Sequence, residues 1–81
     1  MNKAELNFIN EMTRKLLAGW CLYDIQAGMA PEQTKGLLFS EGYAEPMKVY
    51  IEHAKKKGWL SADGKRVLAA GFNTAAAFLR R

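Results

Sequence analysis

Five cationic side chains in the second half of this 81-residue chain have the type and spacing needed to contact the phosphates of a nucleic acid. Lys48, Lys55 and Lys56 fall in one predicted helix, and Lys65 and Arg66 follow a predicted turn. Ammonium and guanidinium groups neutralise phosphates and release counterions, which supplies affinity but little sequence information. We therefore expect these five groups to lie against a nucleic-acid backbone.

Side chains that read base edges are expected near the start of the same helix, yet this helix offers few good readers. Tyr43 lies just before it, and Glu52 and His53 lie in its middle, where we expect the imidazole to be exposed to solvent. Arg, Asn and Gln, which make the best bidentate contacts to bases, are absent from residues 44–57. We include Tyr43 and Glu52 in the predicted contact set. The lack of good base readers indicates either that the protein has only a weak, shape-based sequence preference or that its partner is not DNA.

Residues suited to catalysis or metal binding do not form a constellation. The single histidine, His53, and the single cysteine, Cys21, fall in different predicted helices, and the carboxylates are scattered. The chain has neither a glycine-rich phosphate loop nor zinc-ligand spacing. We expect no enzyme activity, no cofactor and no metal site, and we expect Cys21 to be a small buried side chain.

Charge is segregated along the chain. Residues 1–46 carry four cations against six carboxylates, for a net charge of −2, and residues 47–81 carry eight against two, for a net charge of +6. Such segregation is typical of a surface that faces an anionic partner. The lack of an 18-residue apolar run and of a signal peptide predicts a cytoplasmic protein without membrane association.

The first half of the chain has helical periodicity within residues 1–28. Apolar side chains recur at three- and four-residue steps from Leu6 to Trp20, and Asn2 with Glu5 has the spacing of a capping box. Residues 20–25 are apolar almost all round the helix. They predict either the most buried turn of a single domain spanning residues 1–81 or a homodimer contact through this helix.

The second half is divided by glycine and proline into shorter elements. Residues 31–58 predict two helices joined by a turn, of which the second covers residues 44–57. Asp63-Gly64 between two apolar pairs predicts a β-hairpin over residues 59–69. A last short helix is predicted within residues 71–81, with Asn73 as its N-cap.

This order of elements resembles the winged helix-turn-helix family. The resemblance covers residues 31–81 and lies in the phrases at 57–60 (KGWL), 61–66 (SADGKR) and 67–71 (VLAAG). It implies an α+β, mostly α fold with three helices, a two-stranded β-hairpin wing and a short C-terminal helix. It also implies that residues 44–57 form the recognition helix and that Lys65 and Arg66 lie on the wing.

The function implied is binding of double-stranded DNA, as a transcriptional regulator or an accessory factor of a phage or mobile element. An alternative is a protein–protein interaction module or inhibitor that docks on an acidic protein without binding DNA, since fold does not fix function. The apolar residues 20–25 and the lack of base-reading side chains favour this alternative. Binding of RNA through the same cations is a third hypothesis.

Overall fold

A computed structural model describes residues 2–30 and 47–81, which contain three helices. They are α1 (Lys3–Gln26), α2 (Lys48–Lys56) and α3 (Ala69–Leu79), and α1 packs against both of the others. Four predicted features lie outside the described residues. They are the first of the two helices predicted in residues 31–58, the turn that joins these helices at Glu41-Gly42, the start of the helix predicted over 44–57 and the site residue Tyr43.

The first helix begins at a side-chain cap. The Asn2 Oδ1 atom accepts a hydrogen bond from the backbone N–H of Glu5 at 2.8 Å, and the Asn2 amide donates to the Glu5 carboxylate at 2.8 Å. The first of these bonds satisfies one of the backbone donors that the first turn of a helix otherwise leaves free, and the second holds the two side chains together. Twenty-four residues long, α1 then supplies one wall of the core.

The core lies where the three helices meet. Its fully buried side chains come from α1 (Leu17 and Cys21), from α3 (Phe72 and Ala75) and from the connection before α3 (Leu60). One polar group, the Thr13 hydroxyl, is buried with them and donates to the Ile9 carbonyl oxygen at 2.6 Å. Burial of these side chains holds the connection between α2 and α3 against α1.

The expected α+β fold with a β-hairpin wing over residues 59–69 is wrong: the described part of the chain is mostly α and has no strand. Leu60 and Val67 form only an isolated antiparallel bridge. The reason lies in the preceding helix end. The Leu68 N–H donates to the Trp59 carbonyl oxygen at 2.9 Å, but the Trp59 N–H, which would return this bond in a longer ladder, donates to the Ala54 carbonyl oxygen at 2.9 Å.

The chain after the bridge also differs from the prediction. Helix α3 begins at Ala69, directly after Leu68, and ends at Leu79, whereas the sequence pattern predicts a helix within 71–81 capped by Asn73. Leu68 occupies the N-cap position without a side-chain hydrogen bond, and Asn73 lies inside the helix. Helix α3 therefore begins directly after the second predicted strand and leaves it no room to extend.

Candidate nucleic-acid interface

The cationic face of α2 lies opposite the core. Ala54 is buried and marks the inner side of the helix, whereas Lys48, Glu52 and Lys56 are exposed. These three residues are four positions apart, so they lie one above another on the outer side of the helix. Lys55 is half-buried at the flank of this row. We call Lys48, Lys55 and Lys56 the α2 lysines.

Glu52 lies in the middle of the α2 lysines. Its carboxylate accepts a hydrogen bond from the Lys55 ammonium at 2.9 Å. This hydrogen bond and the charge of Lys55, followed by the charges of Lys48 and Lys56, lower the pKa of Glu52 below its usual value. All three ammonium groups therefore act on one carboxylate, which places them in one cluster of positive potential. A base that approached Glu52 would compete with Lys55 for this carboxylate.

Replacing Glu52 with glutamine is expected to strengthen binding of a nucleic acid. The change removes the one carboxylate among the α2 lysines and releases Lys55 for a phosphate, so we expect affinity to rise about threefold at low salt. Fluorescence anisotropy with a short DNA duplex measures this. Glu5→Gln is the matched control, because it makes the same change in net charge and glutamine keeps the capping pattern of α1. Equal effects of the two variants, or weaker binding by Glu52→Gln, would contradict the assignment.

The turn formed by residues 61–66 packs beside the α2 lysines. Gly64 is buried with a φ of 72°, and a Cβ atom at this position would lie 3.5 Å from both the Ile51 Cγ2 atom and the Lys55 Cδ atom. Turn 61–66 therefore rests on α2 against the aliphatic part of Lys55. Lys65 and Arg66 follow this contact directly along the chain and are both exposed.

Hydrogen bonds from within the turn fix its shape. The Asp63 carboxylate accepts from the Ser61 hydroxyl at 2.5 Å and from the Lys65 backbone N–H at 2.9 Å, and both bonds lower the pKa of Asp63. The Ser61 hydroxyl oxygen in turn accepts from the Arg66 backbone N–H at 3.1 Å. The Asp63 charge is thus held by the turn's own donors. Among the described residues, neither Lys65 nor Arg66 forms an ion pair.

His53 is not the exposed side chain that the sequence predicts. Its Nε2 atom lies 3.0 Å from the Asn10 Oδ1 atom of α1, and its ring meets the Trp59 ring edge-on with centroids 5.9 Å apart. His53 therefore joins α1, α2 and the connection after α2. Burial, followed by the charges of Lys57 and Lys56, lowers the pKa of His53.

Lowering the pH from 7 to 5 is expected to reduce the free energy of unfolding through His53. Because the folded state lowers its pKa, the unfolded chain takes up the proton more readily, so stability is intact above the unfolded pKa of about 6.5 and declines as the pH falls through that value. Carboxylates with lowered pKa values contribute their own loss only nearer pH 4. Urea unfolding of the wild type and of His53→Gln at both pH values measures the difference. An equal decline in the two proteins would contradict the expectation.

Two other cations in residues 47–81 are not in the predicted contact set. The Arg81 guanidinium donates to both carboxylate oxygens of Glu11, at 2.8 and 2.9 Å, and lies 4.5 Å from the centre of the Phe78 ring. It ties the end of the chain to α1. Lys57 is exposed and lies beside His53 and Trp59. It is not in the predicted contact set, and the only feature of the sequence that points to it is the run of three lysines at residues 55–57.

Chemistry other than ionic binding has little support among the described residues. The Cys21 thiol is buried, and burial followed by the nearby Asp24 charge raises its pKa to about 11, so it stays protonated. No group of three potential metal ligands occurs in residues 2–30 and 47–81. Of the helices that the structure describes, none has the length and apolar character to span a membrane.

Of the seven predicted contact residues, Lys48, Glu52, Lys55 and Lys56 lie on α2, and Lys65 and Arg66 lie in the turn whose Gly64 packs against Lys55. Tyr43 lies outside the described part. Comparison of the chain with protein-family models, with curated proteins and with solved structures finds no match to any of them. The interface is therefore characterised by its own geometry and charge.

Proposed function

We propose that this protein binds double-stranded DNA through the phosphate backbone, as a small regulatory or accessory factor. The contact surface consists of the α2 lysines and the two cations of turn 61–66. The observation that carries the proposal is the packing of Gly64 against the Lys55 stem, because it joins two separate basic segments into one surface. Cations so arranged approach a polyanion together, and each neutralised phosphate adds to the affinity.

The dimensions of the surface suit a DNA duplex. Lys48 and Lys56 are separated by about 12 Å along the axis of α2 at 1.5 Å per residue. One strand of B-DNA places a phosphate about every 3.4 Å along the helix axis, so this spacing spans several phosphates. Turn 61–66 widens the surface on the Lys55 side. A flat row of cations, with no need for base contacts, is enough for backbone binding.

The side chains of α2 support weak sequence preference. The helix reads KVYIEHAKK and contains no arginine, asparagine or glutamine. Of its two candidate polar readers, Glu52 is paired with Lys55 and His53 is turned toward Asn10 and Trp59. Without bidentate readers, discrimination between bases is small. We expect unrelated duplex sequences to bind with affinities within about threefold of one another.

Salt dependence is the direct test of this proposal. Anisotropy titrations of short duplexes between about 50 and 200 mM salt are expected to give a slope of log affinity against log salt of about −4, because four to five cations each release a counterion. The affinity then falls by about two orders of magnitude across the range. A slope near zero, no binding at the lower concentration, or tighter binding of single-stranded RNA than of duplex DNA would overturn the proposal.

A further inference from the structure

An apolar groove runs between the first half of α1 and the length of α2. It has a volume of about 400 Å³, and its floor consists of Leu6 and Ile9 from α1 and Val49 from α2. Leu6 is 47% exposed and Val49 is 43% exposed, so much of this apolar surface faces solvent in the described structure. Contiguous exposed apolar surface of this kind marks binding grooves more often than surface scattered singly.

The margin of the groove is positively charged. Lys56 and Lys57 both line it, and neither forms an ion pair within the described residues. Glu52 lines it too, but the Lys55 ammonium holds its carboxylate. The hydrogen bond between His53 and Asn10 joins α1 to α2 beside the groove and fixes their separation. Within residues 2–30 and 47–81, the groove therefore has an apolar floor and two cations at its edge that form no ion pair.

We propose that this groove binds an amphipathic helix of another protein, with an apolar face flanked by carboxylates. A groove between two helices accepts apolar side chains spaced three and four residues apart, as in other helix-in-groove complexes. Carboxylates on the flank of such a helix complement Lys56 and Lys57. This complementarity selects an acidic partner.

Two other occupants fit less well. An acyl chain needs an apolar lining throughout, whereas four of the seven lining residues are polar or charged. A second copy of the chain carries the same net charge of +4, so its overall charge does not complement Lys56 and Lys57. The apolar floor contributed by Leu6 and Ile9 belongs to α1 and is separate from the DNA interface. Glu52 and Lys56 border both surfaces, so bound DNA and bound helix are expected to compete in part.

A designed peptide tests the groove. The probe is a labelled amphipathic helix with leucines at i, i+3, i+4 and i+7 and glutamates on the flanks, and its control is a scrambled peptide of the same composition. Wild-type protein is expected to bind the probe at least about tenfold more tightly than the scrambled peptide. Chemical-shift changes in an amide NMR spectrum of the full chain are expected to centre on Leu6, Ile9 and Val49.

Variants separate the groove from the DNA interface. Leu6→Gln with Val49→Gln is expected to weaken peptide binding about tenfold or more while leaving duplex affinity unchanged. The matched control is Leu79→Gln, which changes a leucine that is 41% exposed on α3. Lys56→Gln with Lys57→Gln is expected to weaken peptide binding and lower its salt dependence.

Four outcomes would overturn the proposal. They are no binding of the probe, equal binding of the scrambled peptide, a groove variant that keeps its affinity, and sedimentation showing a dimer that Leu6→Gln with Val49→Gln dissociates. The last outcome would assign the groove to self-association. If the wild-type protein bound the peptide but not the duplex, only the DNA proposal would be rejected.

Discussion

Replacing Lys48, Lys55 and Lys56 together with glutamine is expected to lower the affinity for a DNA duplex by about two orders of magnitude at 50 mM salt. Each lysine that contacts a phosphate contributes about one unit to the salt slope, so the slope is expected to shrink from about −4 to about −2 when two cations remain. Lys65 and Arg66 supply what remains. The measurement is an anisotropy titration at several salt concentrations.

The control for this variant keeps the same change in net charge. Lys3→Gln, Lys15→Gln and Arg80→Gln remove three exposed cations that belong to α1 and to the C-cap of α3, not to α2. We expect this triple variant to lose little affinity, because none of these cations belongs to the proposed contact surface. Equal losses in the two triple variants would mean that net charge, and not the surface on α2, decides binding.

Stability should hardly differ between these two triple variants. The lysine side chains that are removed are exposed or half-buried, and the Lys55–Glu52 pair lies at the surface, where ion pairs contribute little to folding. Circular dichroism melting curves of both variants are therefore expected to overlay that of the wild type. A triple lysine variant that failed to fold would contradict the outward orientation of the α2 lysines. The binding measurement therefore tests whether the α2 lysines form the contact surface, and the melting curves test whether their side chains are exposed.

The sequence predicts most where the relevant contacts are local. The spacing of Asn2 and Glu5 is enough to place the start of α1, because capping needs only neighbours three residues apart. The four-residue spacing of Lys48, Glu52 and Lys56 likewise places them on one side of a helix. By contrast, turn 61–66 packs against α2 because Gly64 lies close to the Lys55 side chain. This contact joins two separate elements, so a local sequence pattern does not predict it.

The wing shows how a local signal is overruled. Asp63-Gly64 does form a turn, and residues on either side of it do pair once, at Leu60 and Val67. The pairing stops there because the donor of Trp59 bonds back to Ala54 and because α3 starts at Ala69. Both limits arise from the packing of neighbouring helices. A hairpin signal in the sequence carries no information about how the adjoining helices end.

Replacing Gly71 with alanine is expected to destabilise the protein more than any change at its surface. Gly71 is buried in the first turns of α3, where a Cβ atom would overlap the Trp59 carbonyl oxygen and lie 3.0 Å from both the Trp59 carbonyl carbon and the Val67 Cγ1 atom. The overlapping atom belongs to the backbone, so it cannot rotate away. Overpacking costs about 1 to 3 kcal/mol, and a rigid neighbour favours the upper end.

The helix preference of alanine offsets only part of this cost, about 1 kcal/mol. The net loss of about 2 kcal/mol corresponds to a decrease in Tm of about 10 °C for a chain of this length. Gly19→Ala is the matched control, because Gly19 is exposed inside α1 and a Cβ atom there would meet nothing within 4 Å. There the helix preference acts alone, and we expect Tm to rise by about 5 °C.

The pair of glycine variants therefore predicts opposite signs for one chemical change. The sign at Gly71 depends on the contact between α3 and Trp59, and Trp59 is also the ring against which His53 packs. A loosened α3 is thus expected to release His53 and, with it, the attachment of α2 to α1. If Gly71→Ala instead raised Tm as Gly19→Ala does, α3 would not approach Trp59 closely. The packing that sets the orientation of α2 would then need a different account.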